Sequence, residues 1–160
     1  MLIREFVQSD LARLTQLTIE TFQAFHEESL RPLVGDAVFD VLDGDWRDDY
    51  RRQVPGLHDP EQNKYVAVAE TDSGIVGYVG WQADPLRGHG RIEILAVAAD
   101  HRRDQVGTAL CRHAFSELRG LGARMVEIGT GGDAFHAPAR GLYESLGCVK
   151  LPTASYFRQL

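Results

Sequence analysis

Val97-Ala-Ala-Asp-His-Arg-Arg-Asp-Gln-Val-Gly-Thr-Ala-Leu110 carries the chain from an apolar strand, through a short polar loop, into an amphipathic helix. Val106, Ala109, Leu110, Ala114 and Leu118 recur at the spacing of one helical face, so the pattern predicts a helix beginning near Arg103 to Gln105. The first N–H groups of that helix have no partner within it, and they point back into the loop with the positive end of the helix dipole. The result is a cradle for an anion of phosphate size. Arg102 and Arg103 flank it, and Gly107 has no Cβ to hold a ligand away from the backbone.

Working outward, three β-rich runs precede the loop: Lys64-Tyr-Val-Ala-Val-Ala69, Gly74-Ile-Val-Gly-Tyr-Val-Gly-Trp81 and Arg91-Ile-Glu-Ile-Leu-Ala-Val97. The turn Thr71-Asp-Ser-Gly74 joins the first two, which predicts an antiparallel meander. Leu2 to Phe6 predicts an earlier strand. Ser9-Asp10 then supplies cap chemistry for a helix carrying Leu11, Leu14, Leu17, Thr18, Thr21 and Phe22 and running to about His26. A second helical segment is expected from Gly35 to Val54, in two pieces because Asp43-Gly44-Asp45 weakens its middle. After the loop come a strand from Arg124 to Ile128, a helix around Ala139 to Leu146, and a closing element over Ala154 to Arg158. Neither repeats nor linkers interrupt this order, so residues 1–160 are read as a single domain with a mixed α/β sheet.

Composition narrows the class of function. Apolar residues make up 44% of the chain and charged residues 25%, the balance of an ordinary globule rather than a disordered chain. No apolar run approaches the length of a membrane span, and the opening Met-Leu-Ile-Arg-Glu-Phe lacks a secretory signal core. A cytoplasmic location without membrane association is the expectation. The net charge of −6 disfavours a nucleic-acid partner. Cys111 and Cys148 have no ligand-spaced partners, so neither a metal nor a disulfide is expected, and both read as small packing residues.

A second motif lies downstream: Gly131-Gly-Asp-Ala-Phe-His136-Ala-Pro-Ala139-Arg-Gly-Leu-Tyr143-Glu-Ser-Leu-Gly147-Cys148. Pro138 suits a first helical turn, and Gly147 suits a helix C-terminus that needs a left-handed residue. In this order, the loop and this motif resemble the two halves of the acyl-CoA site of the GNAT superfamily of N-acyltransferases. The loop matches Arg/Gln-x-x-Gly-x-Gly/Ala as Arg102-Arg-Asp-Gln105-Val-Gly107, with Gln105 in place of the middle glycine. The second motif matches Asn-x-x-Ala followed by Tyr and Gly-Phe, with His136 in the Asn place and Cys148 in the Phe place. The resemblance covers roughly Lys64 to Leu160. It implies a GNAT-like central mixed, mostly antiparallel sheet, flanked by helices, whose fourth and fifth strands splay apart to admit acetyl-CoA. It also makes Gln105→Gly a change expected to tighten acetyl-CoA binding, at a cost in chain entropy.

Acyl transfer from a thioester to an amine needs a base for the amine, polarisation of the carbonyl, and a proton for the departing thiolate. The resemblance implies that the backbone of Leu95, Ala96 and Val97 pairs with the pantetheine arm, with Val97 N–H facing the thioester. It implies that Arg102, Arg103, Asp104, Gln105, Val106, Gly107 and Thr108 surround the pyrophosphate, with His136 and Ala139 on the cofactor side. Glu93 lies on the fourth strand with the parity of Leu95 and Val97 and is the leading candidate for the base; its plainer reading is an ion pair with Arg91 or a solvent-facing neighbour. His89 and His26 are alternatives. Tyr143 matches the helix tyrosine that protonates the thiolate, though it equally suits the core face of its helix.

An acceptor site is expected between the N-terminal helices and the loop from Pro85 to Gly90. Glu27, Glu28, Asp43, Asp45, Asp48 and Asp49 make the helices acidic, and Phe22, Phe25, Trp46 and Trp81 are candidate walls. The leading function is therefore acetyl-CoA-dependent N-acetylation of a small-molecule or peptide primary amine, with a homodimer compatible. The alternative is an acyl-CoA-binding regulatory module with little turnover. A non-acyl nucleotide-binding protein is disfavoured, because the loop follows a meander and lacks the lysine of a P-loop.

Overall fold

The computed structural model describes residues 1–160. The chain runs through β1 (Leu2–Glu5), α1 (Leu11–Ala24), a π-helical segment (Phe25–Leu30), α2 (Arg31–Val34), α3 (Asp36–Asp43) and α4 (Trp46–Gln53). It continues through β2 (Lys64–Thr71), β3 (Gly74–Asp84), β4 (His89–Val97), α5 (Val106–Gly120), β5 (Met125–Ile128) and α6 (Ala137–Ser145). The strands form one sheet in the order β1-β2-β3-β4-β5. Every pairing is antiparallel except β4 with β5, so the mixed, mostly antiparallel sheet flanked by helices is present as expected. No helix is long and apolar enough to cross a membrane.

Each face of the sheet carries its own core. Leu14, Leu17 and the fully buried Thr18 of α1 lie one helical turn apart and pack with Tyr78, Ile94 and Ala96 on one face. On the other, Val106, Leu110, Ala114 and Leu118 of α5 meet Val79, Trp81 and Ile92. Trp81 therefore lies on the α5 side, across the sheet from Phe22, and does not wall a pocket with it.

β4 carries a local irregularity where its pairing with β5 ends. Ile92 is paired with Trp81 and Ile94 with Gly80, so Glu93 is an extra residue, a β-bulge. The insertion changes the alternation: Ile92, Leu95 and Val97 face α5, whereas Ile94 and Ala96 face α1. Glu93 sits at the insertion itself and is exposed. Pairing with β5 runs from His89 to Ile92 and stops there. From Glu93 to Val97 the side of β4 facing β5 has no strand beside it.

Other departures are local. The first helix does not end near His26; helical turns continue through the π-helical segment to Val34, with Pro32 tolerated in the first turn of α2. The second helical segment does break at Gly44. Ala154 to Arg158 form no element, and the segment from Val149 onward is exposed without backbone pairing to β5. Pro152 lacks an N–H for a ladder, and nothing buries Leu151 or Tyr156.

Candidate functional site

The loop between β4 and α5 holds its shape through two left-handed residues, Arg103 at φ 74° and Gln105 at φ 61°. α5 begins one residue later than the periodicity predicted, at Val106, because Gln105 takes the cap position. The N–H groups from Arg103 through Thr108 donate to no backbone carbonyl; the first amide of the region that does is Ala109, to Gln105 at 2.9 Å. Left-handed residues alternating with others turn successive amides toward one concavity, and a helix start adds its dipole. Arg102, Arg103, Asp104 and Gln105 are exposed around this concavity, whereas the Val106 side chain is core and offers only its amide. Gly107 serves packing more than ligand approach, since a Cβ there would lie 3.1 Å from Leu142 of α6 and 3.8 Å from Leu95.

Beside this loop, the unpaired stretch Glu93 to Val97 presents its backbone toward the space that β5 vacates. Leu95 and Val97 turn their side chains into the α5-side core, so only their main chain faces the gap. At the head of the stretch, the exposed Glu93 carboxylate makes no hydrogen bond or ion pair. Arg91 does not pair with it; Arg91 reaches Glu127 of β5 at 3.5 Å, and His89 reaches the same carboxylate at 3.1 Å. His89 is thereby tied to the start of β4, as is the turn from Pro85 to Gly90, which binds Arg124 and Met125 through the Gly88 carbonyl. That turn lies at the opposite end of β4 from Val97 and takes no part in the site.

Tyr143 sits on α6, whose Leu142 leans on the first turn of α5. Burial pushes its phenol well above the ordinary value, with the nearby Cys111 and Cys148 thiols adding to the shift, so it remains protonated at neutral pH. Its hydroxyl makes no hydrogen bond within the protein. A cavity of about 1070 Å³ is lined by Tyr143, Cys148, β5 and residues 149–153. No residue of β4 lines it, so it is separate from the unpaired stretch Glu93 to Val97 and from the free amides of the α5 loop.

His136 occupies the cap position of α6, with Ala139 partly buried one turn on. Asp133 accepts from its Nδ1 at 2.5 Å, and Arg140 fixes the loop by donating to the carbonyls of Gly131 and Asp133. Gly131 is required for this pair, since a Cβ there would fall 2.5 Å from the imidazole. Nδ1 is thereby engaged, which leaves Nε2 as the ring nitrogen without a partner in the protein. The imidazole meets Phe25 edge-on, at 4.7 Å between ring centroids, so His136 also touches the N-terminal helices.

Those helices converge on the same place through aromatic rings. Phe22 and Tyr50 pack against the cluster that holds Ile94 and Ala96 of β4. Phe22 stacks on Tyr50, and Phe135 touches both Phe22 and Phe25. Trp46 is buried and lies flat on His26. Most of the acidic candidates are already engaged: Glu27 by Trp46, Arg31 and Arg47, Asp43 by His26, Asp48 by Arg51 and Asp49 by Arg52. Sequence periodicity did not anticipate the π-helical segment, whose widened turn inserts His26 between α3 and α4. The signal available was a cluster of His26, Trp46 and Tyr50 in a polar stretch, which carries no spacing rule.

A helix start with unpaired amides thus stands beside a stretch of strand that has no neighbour on one side. Residues 16–148 match the acetyltransferase (GNAT) family, and the chain belongs to it. It is 31% identical over 83 residues to an uncharacterised N-acetyltransferase, YsnE, of Bacillus subtilis, a match covering 46% of this chain and 55% of that protein. The matched region thus spans about half the length of that curated relative. Among solved structures, the fold is similar to an aminoglycoside antibiotic 6'-N-acetyltransferase from Acinetobacter haemolyticus, at 17% identity and TM-score 0.67, covering 100% of this chain and 99% of that one. It is also similar to AAC(6')-Iy in complex with the bisubstrate analogue CoA-S-monomethyl-acetylneamine, at 14% identity and TM-score 0.67, covering 99% and 97%.

Proposed function

We propose that this protein transfers an acetyl group from acetyl-CoA to a primary amine, by direct attack of the amine on the thioester in a ternary complex. The observation that carries the reading is the run of unspent amides from Arg103 to Thr108, lying next to the unpaired edge of β4 from Glu93 to Val97. The amides and the Arg102 and Arg103 side chains receive the pyrophosphate. The main chain of Leu95, Ala96 and Val97 pairs with the pantetheine arm as an added strand would, and the Val97 N–H polarises the thioester carbonyl. Glu93, unpaired and set where the gap opens, accepts a proton from the amine nitrogen as it attacks. Tyr143, held protonated by burial, donates to the departing sulfur. Ala139 and His136 border the path between donor and acceptor.

The acetyltransferase relatives named for aminoglycosides favour a small-molecule amine over a peptide. The phenyl rings of Phe22, Phe25 and Phe135, with exposed Glu28 three residues after Phe25, suit a cationic acceptor. The test is thiol release from acetyl-CoA across a panel of primary amines, run beside a direct binding measurement. Thiol release that depends on the amine, with one acetyl amide formed per thiol, is the expected result. Binding without thiol release for any amine would replace this reading with that of an acyl-CoA-binding module.

A further inference from the structure

The reaction proposed above removes two protons from nitrogen. An amine reaches the site as an ammonium ion and must lose one proton before its lone pair can attack; the second leaves when the C–N bond has formed. Glu93 accounts for one of them. A second acceptor is needed on the side from which the amine arrives.

His26 is 6% exposed, and both of its ring nitrogens are engaged. The Asp43 carboxylate accepts from Nδ1, which fixes the tautomer and leaves Nε2 as an acceptor for the Tyr50 hydroxyl at 3.0 Å. The ring is clamped as well as bonded: Trp46 lies 4.4 Å away at an interplanar angle of 7°, and Phe25 meets it edge-on at 5.0 Å. The three members come from separate elements, the π-helical segment, α3 and α4, and π-helical turns occur frequently at functional sites. Tyr50 is the half-buried end of the chain, and it packs with Phe22 on the face of the sheet behind Ile94 and Ala96. That strand segment is the one proposed to hold the thioester, and Phe22 and Phe25 join it to Phe135 and His136 across the gap.

We propose that Tyr50, His26 and Asp43 form a proton relay that deprotonates the incoming ammonium group. One N–H bond of the ammonium breaks as its proton passes to the Tyr50 oxygen, while the Tyr50 O–H proton passes to His26 Nε2. The nitrogen keeps the electron pair and becomes nucleophilic, and the imidazolium faces the Asp43 carboxylate, so no charge is left unbalanced in the buried pair. After the product leaves, the proton returns along the same bonds to solvent. Tyr50 is the group that meets the amine; His26 and Asp43 act through it. Other ionisable groups around the relay are Glu27 and Arg47, which contact the far side of Trp46, Asp49 and Tyr78 near Tyr50, and His136 across Phe25. Burial holds the Tyr50 phenol well above its ordinary value, so it passes a proton on rather than retaining a charge.

The inference rests on the transfer reading, and two acceptors separate them. n-Butylamine is an ammonium ion at pH 7, whereas hydroxylamine is largely neutral and needs no first deprotonation. With acetyl-CoA as donor, Tyr50→Phe is expected to lower the rate with n-butylamine by at least about tenfold, as loss of an acid–base group does, and to leave the rate with hydroxylamine within about twofold. Glu93→Gln is expected to slow both. The ring 15N spectrum of His26 in the unliganded protein gives a readout independent of turnover: a protonated Nδ1, a bare Nε2, and an Nε2 signal that moves in Tyr50→Phe. Equal losses with both amines, no loss with either, or a protonated Nε2 would overturn the relay alone. Should neither amine be a substrate, the same comparison is made between an ammonium-form and a neutral-form amine found active in the panel. Wild-type protein that binds acetyl-CoA yet acetylates no amine of the panel would overturn the transfer reading and the relay with it.

Discussion

Replacing Gln105 by glycine tests the loop most directly, and the structure reverses the sign of its expected effect on stability. Gln105 sits at φ 61° immediately before α5, a conformation in which a Cβ crowds the carbonyl oxygen. Relieving that strain is worth about 1–2 kcal/mol. Glycine returns about 0.4–1 kcal/mol of this through the greater freedom of its unfolded chain. The balance is a gain of up to about 1.6 kcal/mol, or up to about 6 °C in Tm for a domain of this size. The sequence alone pointed to a loss, because it placed Gln105 inside the first helical turn rather than at the cap. Thermal and urea melts of Gln105→Gly beside Gln105→Ala separate the causes, since alanine keeps the Cβ and the strain. Isothermal titration with acetyl-CoA should show equal or tighter binding for the glycine variant, whose amide approaches phosphate more closely. A lower Tm for Gln105→Gly than for wild type, or an equal gain from Gln105→Ala, would refute the argument from backbone strain.

Acetyl-CoA and free CoA at about 100 times their dissociation constants should each stabilise the protein by about 2.7 kcal/mol, and pantetheine at matched concentration by far less; similar melting shifts for all three would remove the pyrophosphate from the α5 loop. Tyr143→Phe should lower kcat while leaving acetyl-CoA affinity within about twofold, because the ring that packs α6 is kept; steady-state kinetics with unchanged kcat across pH would return Tyr143 to a packing role. Glu93→Gln should lower kcat and flatten the acid limb of its pH profile, checked with an amine found active in the panel. Asp10, hydrogen-bonded by Arg4 at 2.8 Å and 3.0 Å and by the Val7 amide at 2.9 Å, is held below the usual carboxylate range mainly by Arg4. Its folded-state value lies below the unfolded one, so its stabilisation is complete above about pH 4 and is lost as the pH falls through the lower value. Asp10→Asn should therefore flatten the acid side of a stability–pH curve measured by urea denaturation.

The elements whose order defines the fold were legible because each announces itself locally. Lys64 to Val97 alternates and is punctuated by Asp72-Ser-Gly74; Val106 to Leu118 repeats at helical spacing; Gly147 ends α6 with φ 86°, as its position suggested. The free amides before α5 were legible for the same reason, since they follow from any helix start. What escaped was decided by tertiary fit. The bulge at Glu93 adds a residue to one strand only against its partner, and no single strand reveals that count. The π-helical turn is set by how His26 meets Asp43 and Tyr50, residues 17 and 24 positions away. Trp81 was misplaced because an aromatic in a strand can face either side of a sheet buried on both. Ala154 to Arg158 looked like a further element because its aromatic residues suit a strand, yet a strand exists only where a neighbour takes its hydrogen bonds.

Glu93 stands outside the ladder that surrounds it. Trp81 faces Ile92 and Gly80 faces Ile94 whether or not a residue intervenes, so a chain lacking position 93 retains every cross-strand partner of β4. Such a chain would have a straighter fourth strand, free to stay alongside the fifth and close the gap. Sheet regularity and access to the gap are thus opposed at one position, and the extra residue there converts a continuous wall into a doorway.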